Sequence, residues 1–158
     1  MATEMCFMLV EDSELGRLRR NDDNVARVVE ERDAGGGLVA FGVNHRNVEI
    51  FHFILNGTTA FVGGPCGLFE TWLRGDEYPG IRLTDEAFGL DSTGVRTLSD
   101  ALSMLDDAAI RDRWGEWKTA HGIAKDDDPS FFPECFGFLR ELCSRAVNEK
   151  QALVWIAG

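Results

Sequence analysis

His52 is the side chain in this sequence with the best-defined potential for chemistry. It is a titratable residue inside an apolar run, residues 48–55, and Glu49 precedes it by three positions. On a helix, that spacing places both side chains on one face. A carboxylate beside an imidazole is a common way to orient a general base or a metal ligand. His52 and Glu49 are therefore the candidate catalytic residues if the protein is an enzyme.

His52 also has a purely structural interpretation. A core histidine whose two ring nitrogens bond to a carboxylate and to backbone needs no catalytic role, because buried polar groups are normally hydrogen-bonded. Catalysis would in addition require an open cleft next to the ring. The solvent access of His52 is therefore the observation that separates the two interpretations.

No pattern in the sequence predicts a metal or cofactor site. The three histidines and four cysteines have no recognised ligand spacing, and residues 126–128 lack the spaced ligands of an EF-hand loop. A helix beginning near Cys66 would lower the pKa of that thiol, although a packing role explains the same residue. We therefore expect no metal and no cofactor.

Three residues are candidates for binding rather than catalysis: Arg46, Trp114 and Trp117. Arg46 precedes the apolar run. The two tryptophans lie about one helical turn apart and would form an aromatic wall if their rings were exposed. Core packing explains the same spacing, since large aromatic residues on one helical stripe usually pack inside.

The element that must position His52 covers residues 44–56. Val48, Phe51, His52 and Leu55 follow the i, i+3, i+4, i+7 spacing of one helical face, and the intervening residues are also largely apolar. This pattern predicts a deeply buried helix that begins near Asn44 and ends at Gly57. Periodicity alone also permits a strand, because Val, Ile and Phe favour strands.

The rest of the pattern predicts an α+β fold with about five or six helices packed on a small sheet. Apolar runs at residues 5–10 and 152–156 are expected to be neighbouring strands of that sheet, with a short third strand at 81–83. A helical turn is expected from Thr84 to about Gly89. Two short helices, or one interrupted helix, are predicted from Ser13 to about Val29. Further helices are predicted over residues 65–73, 92–105, 107–121 and from Pro133 onwards.

Charge and cysteine content exclude several functions. The chain has 158 residues, the length of one domain, and 16 basic against 27 acidic residues give a net charge of −11. Such acidity argues against nucleic acids and anionic membranes, and favours a basic protein as partner. The cysteines lack a disulfide framework, and no apolar run reaches the ~18 residues of a membrane span. A cytoplasmic location is expected.

Three short motifs resemble the YfbM-like family, a bacterial family of unknown function. Residues 51–61 are similar to its Leu-His-Phe-x-Leu-Thr-Gly signature, with Arg46 and Glu49 at the Lys and Asp positions that precede it and Val48 in place of a Trp. Residues 83–86 (Leu-Thr-Asp-Glu) and the final run 151–158 match later motifs in the same order. The resemblance implies one YfbM-like domain over residues 1–158, with a helix at 44–56.

Two functions follow as hypotheses. The first is a cytoplasmic bacterial binding protein without catalysis, such as a small acidic protein that neutralises a basic toxin. The second is a small-molecule enzyme that uses His52 and Glu49. The sequence leaves open whether the protein is an enzyme.

Overall fold

The computed structural model describes residues 4–19, 22–74, 81–84, 87–123 and 130–157. Within these residues the chain forms five strands, seven α-helices and one short 3-10 helix, Pro65–Glu70. The strands are β1 (Met5–Glu11), β2 (Val39–Phe41), β3 (Ile81–Arg82), β4 (Ala87–Leu90) and β5 (Gln151–Ala157). The helices are α1 (Asp12–Leu18), α2 (Asp22–Ala34), α3 (Val48–Asn56), α4 (Thr71–Arg74), α5 (Ser92–Ser103), α6 (Asp107–Ala120) and α7 (Phe131–Glu149).

The first and last strands lie side by side at the centre of the sheet, as the sequence predicts. The strand order is β2-β1-β5-β4-β3, and every neighbouring pair is antiparallel. β1 and β5 pair in unbroken register from Met5 opposite Ala157 to Glu11 opposite Gln151. The two ends of the chain therefore close the sheet together.

Helices cover both faces of this sheet, which explains why β1 is apolar throughout rather than alternating. Phe7 and Leu9 point into a large core together with the residues of α3, α5 and α7. Met8 and Val10 point into a smaller core on the other face, against Leu15 of α1. The architecture is α+β, as expected from the sequence.

The central apolar segment is a buried helix, which confirms the prediction. Phe51 and Ile54 of α3 are almost completely buried. The helix ends at Gly57, whose φ of 71° is a left-handed conformation that favours glycine. It begins at Val48 rather than near Asn44, because Asn44 and Asn47 form a turn in which the Asn44 backbone N–H donates to Asn47 Oδ1 at 2.8 Å.

The helical turn predicted to start at Thr84 is wrong. Residues 87–90 form β4, and the Thr84 hydroxyl oxygen accepts a hydrogen bond from the Ala87 N–H at 3.0 Å in the turn before it. Phe88 pairs with Trp155 of β5 and is buried. Pairing and burial outweigh the local helix signal; residues 85 and 86, on which that signal rested, lie outside the described residues.

The described residues form seven α-helices rather than five or six because residues 12–34 contain two separate helices, α1 and α2, instead of one interrupted helix. The segment after Pro65 divides into the 3-10 helix and the four-residue α4. The last helix buries Phe136, Leu139, Cys143 and Ala146 on one face. Asp106 caps α6, accepting from the Ala109 N–H at 2.8 Å. Residues 126–128, considered above as a metal-binding loop, lie outside the described residues.

Candidate functional site

His52 lies on α3 and is completely enclosed, with 0% of its surface exposed. Its Nε2 is 2.9 Å from the carbonyl oxygen of Ala60. A carbonyl oxygen can only accept, so Nε2 carries a proton and donates it. The Nδ1 atom lies 3.4 Å from Nδ2 of Asn56, a possible donor to it. Both ring nitrogens of His52 therefore face groups of the protein itself.

The carboxylate next to His52 is Glu70, not Glu49. Oε2 of Glu70 lies 3.9 Å from Nδ1 of His52, and the Glu70 side chain is also 0% exposed. Glu49 is exposed in the first turn of α3, where water and the helix N-terminus stabilise its charge. The structure thus corrects the expected partner of His52.

Glu70 is able to lie inside the protein because backbone N–H groups solvate its carboxylate. The Val62 N–H donates to Oε2 at 2.8 Å, and the Gly63 N–H donates to the same oxygen at 3.0 Å. Gly63 has a φ of 65° and Gly64 a φ of 63°. This run of glycines lets consecutive N–H groups converge on one anion, in the manner of a backbone nest.

Together, His52 and Glu70 hold the segment of residues 57–64, which we call the 57–64 loop. His52 holds it through the Ala60 carbonyl, and Glu70 holds it through Val62 and Gly63. The outer side of the loop is exposed, including Phe61 and Val62. A surface loop is thus fixed from inside by two buried ionisable side chains.

Neighbouring polar groups connect this cluster to the sheet. The Thr71 hydroxyl donates to the Leu68 carbonyl at 3.0 Å and accepts from the Trp155 ring N–H at 3.4 Å. Asn56 Nδ2 donates to the Cys66 carbonyl at 3.0 Å. The cluster is therefore a network in which buried polar groups find partners within the fold.

The orientation of the ring bears directly on what His52 can do chemically. In a His–carboxylate catalytic pair, the carboxylate faces one ring nitrogen and the other nitrogen faces the substrate. Here Glu70 lies on the Nδ1 side, but Nε2 donates to Ala60 of the same chain. In this structure, both Nε2 and Nδ1 of His52 face groups of the chain itself, and neither nitrogen is open to an outside molecule.

The candidate binding residues do not form an open aromatic wall. Trp117 is buried, and its ring stacks on His121 at a centroid distance of 3.9 Å and an interplanar angle of 14°. Trp114 is half-buried and packs on Phe132 at 4.9 Å. Arg46 is exposed in the turn before α3. Trp114 and Trp117 share α6, whereas Arg46 lies in the turn before α3.

All four cysteines are free. Burial raises the pKa of the Cys66 thiol, which agrees with the packing role rather than with activation at a helix N-terminus. Burial likewise raises the pKa of Cys143, to about 12. A raised pKa lowers the fraction of nucleophilic thiolate. These thiols therefore lack the electrostatic environment of a catalytic cysteine.

In the part of the chain that the structure describes, no group of three or more His, Cys, Asp or Glu side chains is placed to hold a metal ion. Nor does any helix there combine the length and apolar character needed to cross a membrane.

Three clefts in the described surface lie away from His52 and Glu70. A small one, of about 130 Å³, opens between α1 and α2 and is lined by Glu14, Arg17, Leu18, Asn24, Arg27 and Val28. Glu14 at its edge is paired with Arg32 at 3.2 Å. Two larger grooves, of about 390 and 300 Å³, lie on either side of Phe138 on α7. None of these three is lined by His52 or Glu70.

The sequence around Glu70 carries a signal of its burial. Glu70 follows Leu68 and Phe69 and precedes Trp72, so a charged residue interrupts an apolar stripe. A buried carboxylate is rare unless it is paired, and such an interruption marks a residue that needs an internal partner. That partner could not be identified from spacing, because it lies on a different helix.

No protein-family model matches this sequence, and no curated protein sequence matches it. Among solved structures, the chain resembles the crystal structure of YfbM from Escherichia coli, described as a protein of unknown function. The TM-score is 0.56, the sequence identity is 15%, and the match covers 98% of this chain and 99% of that chain. The YfbM-like fold expected from the sequence is confirmed; at this identity the likeness shows the fold alone.

Proposed function

We propose that this protein is a non-catalytic binding protein whose partner is a basic protein. The observation that carries the proposal is the enclosure of His52. The residue with the best-defined potential for chemistry is 0% exposed and donates from Nε2 to its own Ala60 carbonyl. Its geometry serves to fix the 57–64 loop, and that role requires no substrate.

The charge of the chain supports a basic partner. Sixteen basic residues against 27 acidic ones leave a net charge of −11. Such a field accelerates encounter with an oppositely charged protein and repels nucleic acid and anionic lipid. A small acidic protein that neutralises a basic toxin is one function of this kind.

A reducing compartment, such as the bacterial cytoplasm, fits the free thiols. Disulfides are rare where thiol reductants are maintained, and Cys6, Cys66, Cys135 and Cys143 are all unpaired. We therefore place the binding event in the cytoplasm.

An enzyme using His52 is the second candidate, and one observation favours it: Glu70 lies 3.9 Å from Nδ1. For this pair to act on a substrate, the 57–64 loop would have to release Nε2 from Ala60 and open the ring to solvent. The enclosed ring and its satisfied hydrogen bonds favour the binding function instead.

The test is capture of proteins from a lysate of the source cell on immobilised chain, at about 0.01 M and about 1 M salt, where the Debye length is about 30 Å and 3 Å. An unrelated protein of similar net charge, immobilised in parallel, removes proteins retained by charge alone. We expect a partner retained specifically at low salt and released at high salt. The absence of any protein retained above that control would overturn the proposal.

A further inference from the structure

The most exposed aromatic ring on the described surface belongs to Phe138, on the outer face of α7. Its side chain is 61% exposed, although aromatic rings of this size are usually buried. The ring lies edge-on to Phe41 of β2 at a centroid distance of 6.4 Å. Phe138 therefore stands between the last helix and the edge of the sheet.

Two grooves meet at this ring. Phe138 and Glu141 line both of them, so the grooves are adjacent and run from α7 towards β2. Gly137 lines one groove and, having no side chain, leaves it open, while Val39 and Leu142 line the other. The result is a furrow with an aromatic ridge in its middle and apolar side chains beside it.

Two carboxylates, Glu134 and Glu141, and two guanidinium groups, Arg140 and Arg145, line the part of the furrow along α7. Glu134 and Glu141 are both exposed there. The neighbouring Arg140 donates from Nε to the Leu102 carbonyl at 3.2 Å and from Nη2 to the Leu105 carbonyl, which ties its guanidinium to the end of α5. These bonds hold the Arg140 guanidinium in place without removing its charge, whereas Glu134, Glu141 and the second cation, Arg145, are exposed.

We propose that this furrow is the docking surface, and that its occupant is an extended segment of a basic protein carrying Lys or Arg beside an apolar side chain. The apolar side chain would pack against Phe138, and the cations would pair with Glu134 and Glu141. β2 is the last described strand on that side of the sheet, and an edge strand favours an extended ligand.

Charge argues against a second copy of this chain as the occupant. Two molecules that each carry a net charge of −11 repel one another. A basic segment has the complementary sign. This inference rests on the proposed binding function and specifies its surface.

The experiment uses a random-peptide phage library selected against the full chain, followed by fluorescence anisotropy with the selected peptides made synthetically. Three variants are compared with the wild type. Phe138→Ala removes the ridge and Glu141→Gln removes one charge. Phe61→Ala is the matched control, since Phe61 is 49% exposed and lines neither groove. Circular dichroism confirms that each variant is folded.

The expected peptides combine Lys or Arg with an apolar residue. Phe138→Ala should weaken their binding at least about tenfold, as truncation of a central interface aromatic does. Glu141→Gln should reduce the salt dependence of binding, and Phe61→Ala should leave affinity within about twofold.

Several results would overturn the assignment of this furrow as the docking surface. One is selection of acidic or purely apolar peptides, and another is equal loss with Phe61→Ala. A third is concentration-dependent dimerisation, abolished by Phe138→Ala, which would identify a second copy as the occupant.

If lysate capture finds a salt-sensitive partner that binds Phe138→Ala as tightly as the wild type, the binding function stands and this furrow is the wrong surface. If lysate capture finds none, the proposed function itself fails.

Discussion

The Nδ1 atom of His52 lies 3.9 Å from Oε2 of Glu70, and neither side chain is exposed to solvent. Each of the two residues also bonds to the backbone of the 57–64 loop. A buried imidazole and a buried carboxylate would each be costly alone, because polar groups removed from water need partners. The loop supplies those partners, so the cluster and the loop stabilise each other.

Replacement of His52 by Gln should cost stability. The variant removes the ring N–H that donates to the Ala60 carbonyl, and an unsatisfied buried group costs about 1–3 kcal/mol. Urea unfolding measures the loss. Glu49→Gln is the control, because it changes an exposed residue on the same helix and should stay within about 0.5 kcal/mol. Equal stability of both variants would show that His52 is not needed by the fold.

Replacement of Glu70 by Gln should loosen the 57–64 loop. The carboxylate accepts from the N–H groups of both Val62 and Gly63, whereas an amide has one acceptor oxygen and no charge. Hydrogen bonds to a charged acceptor contribute about 1.5–3 kcal/mol, so the free energy of unfolding should fall by a similar amount. Amide hydrogen exchange at Val62 and Gly63 should be faster in the variant than in the wild type, and the increase should be larger than at Ile54. Unchanged protection of both amides from exchange would contradict the hydrogen bonds from Val62 and Gly63 to Glu70.

A methyl group at Gly67 should displace Glu70. A Cβ there would lie 2.6 Å from Oε2 of Glu70, which is closer than atoms pack. Gly67→Ala should therefore destabilise the protein by about 1–3 kcal/mol, the usual cost of overpacking. Gly115→Ala is the matched control, since nothing lies within 4 Å of its Cβ and alanine is the better helix former by about 1 kcal/mol. The melting temperature should fall for Gly67→Ala and rise for Gly115→Ala. A rise for both variants would argue against crowding between residue 67 and Glu70.

The raised pKa of Cys143 makes stability depend on alkaline pH. The thiol has an ordinary value of 9.0, and burial raises the pKa to about 12 in the folded protein. Below the unfolded value the thiol is protonated in both states, so its contribution to stability is fully present. As pH rises from 9.0 towards 12, the unfolded chain ionises first and the free energy of unfolding falls.

Cys143→Ala tests this dependence. The variant should lose stability less steeply above about pH 9, where an unperturbed thiol ionises. Chemical denaturation at several pH values measures both slopes, and comparing slopes removes the constant cost of the smaller side chain. Identical slopes would show that Cys143 does not titrate differently in the two states.

Apolar patterns predicted several of the buried elements. The i, i+3, i+4, i+7 spacing around Phe51 favoured a helix at α3 without excluding a strand, and the resemblance to the YfbM-like family implied the helix. The continuous apolar runs at the two ends predicted β1 and β5. These patterns are reliable because burial of whole faces decides such elements. β4 was missed because its four residues are set by pairing with β5, which local propensity cannot reveal.

The site could be predicted only in part for the same reason. His52 was recognised as the polar residue in an apolar helix, and its enclosure in the core was one of the two interpretations open at that stage. Its partner was expected within the same helix, at Glu49. Tertiary packing instead brings Glu70 from the 3-10 helix, and the choice between two carboxylates depends on which one finds backbone donors. The grooves beside Phe138 depend on how α7 lies against β2, a relation with no sequence signature.

The most direct test of the central claim, that His52 is a structural residue enclosed by its own loop, is the exchange of its ring proton in nitrogen–proton correlation spectra of the imidazole. The exposed ring of His45 provides an internal reference for free exchange. The structure predicts a proton on Nε2 of His52, donated to Ala60, that exchanges slowly enough to be resolved. A His52 ring proton that exchanges as fast as that of His45, or a proton found on Nδ1 alone, would contradict the account.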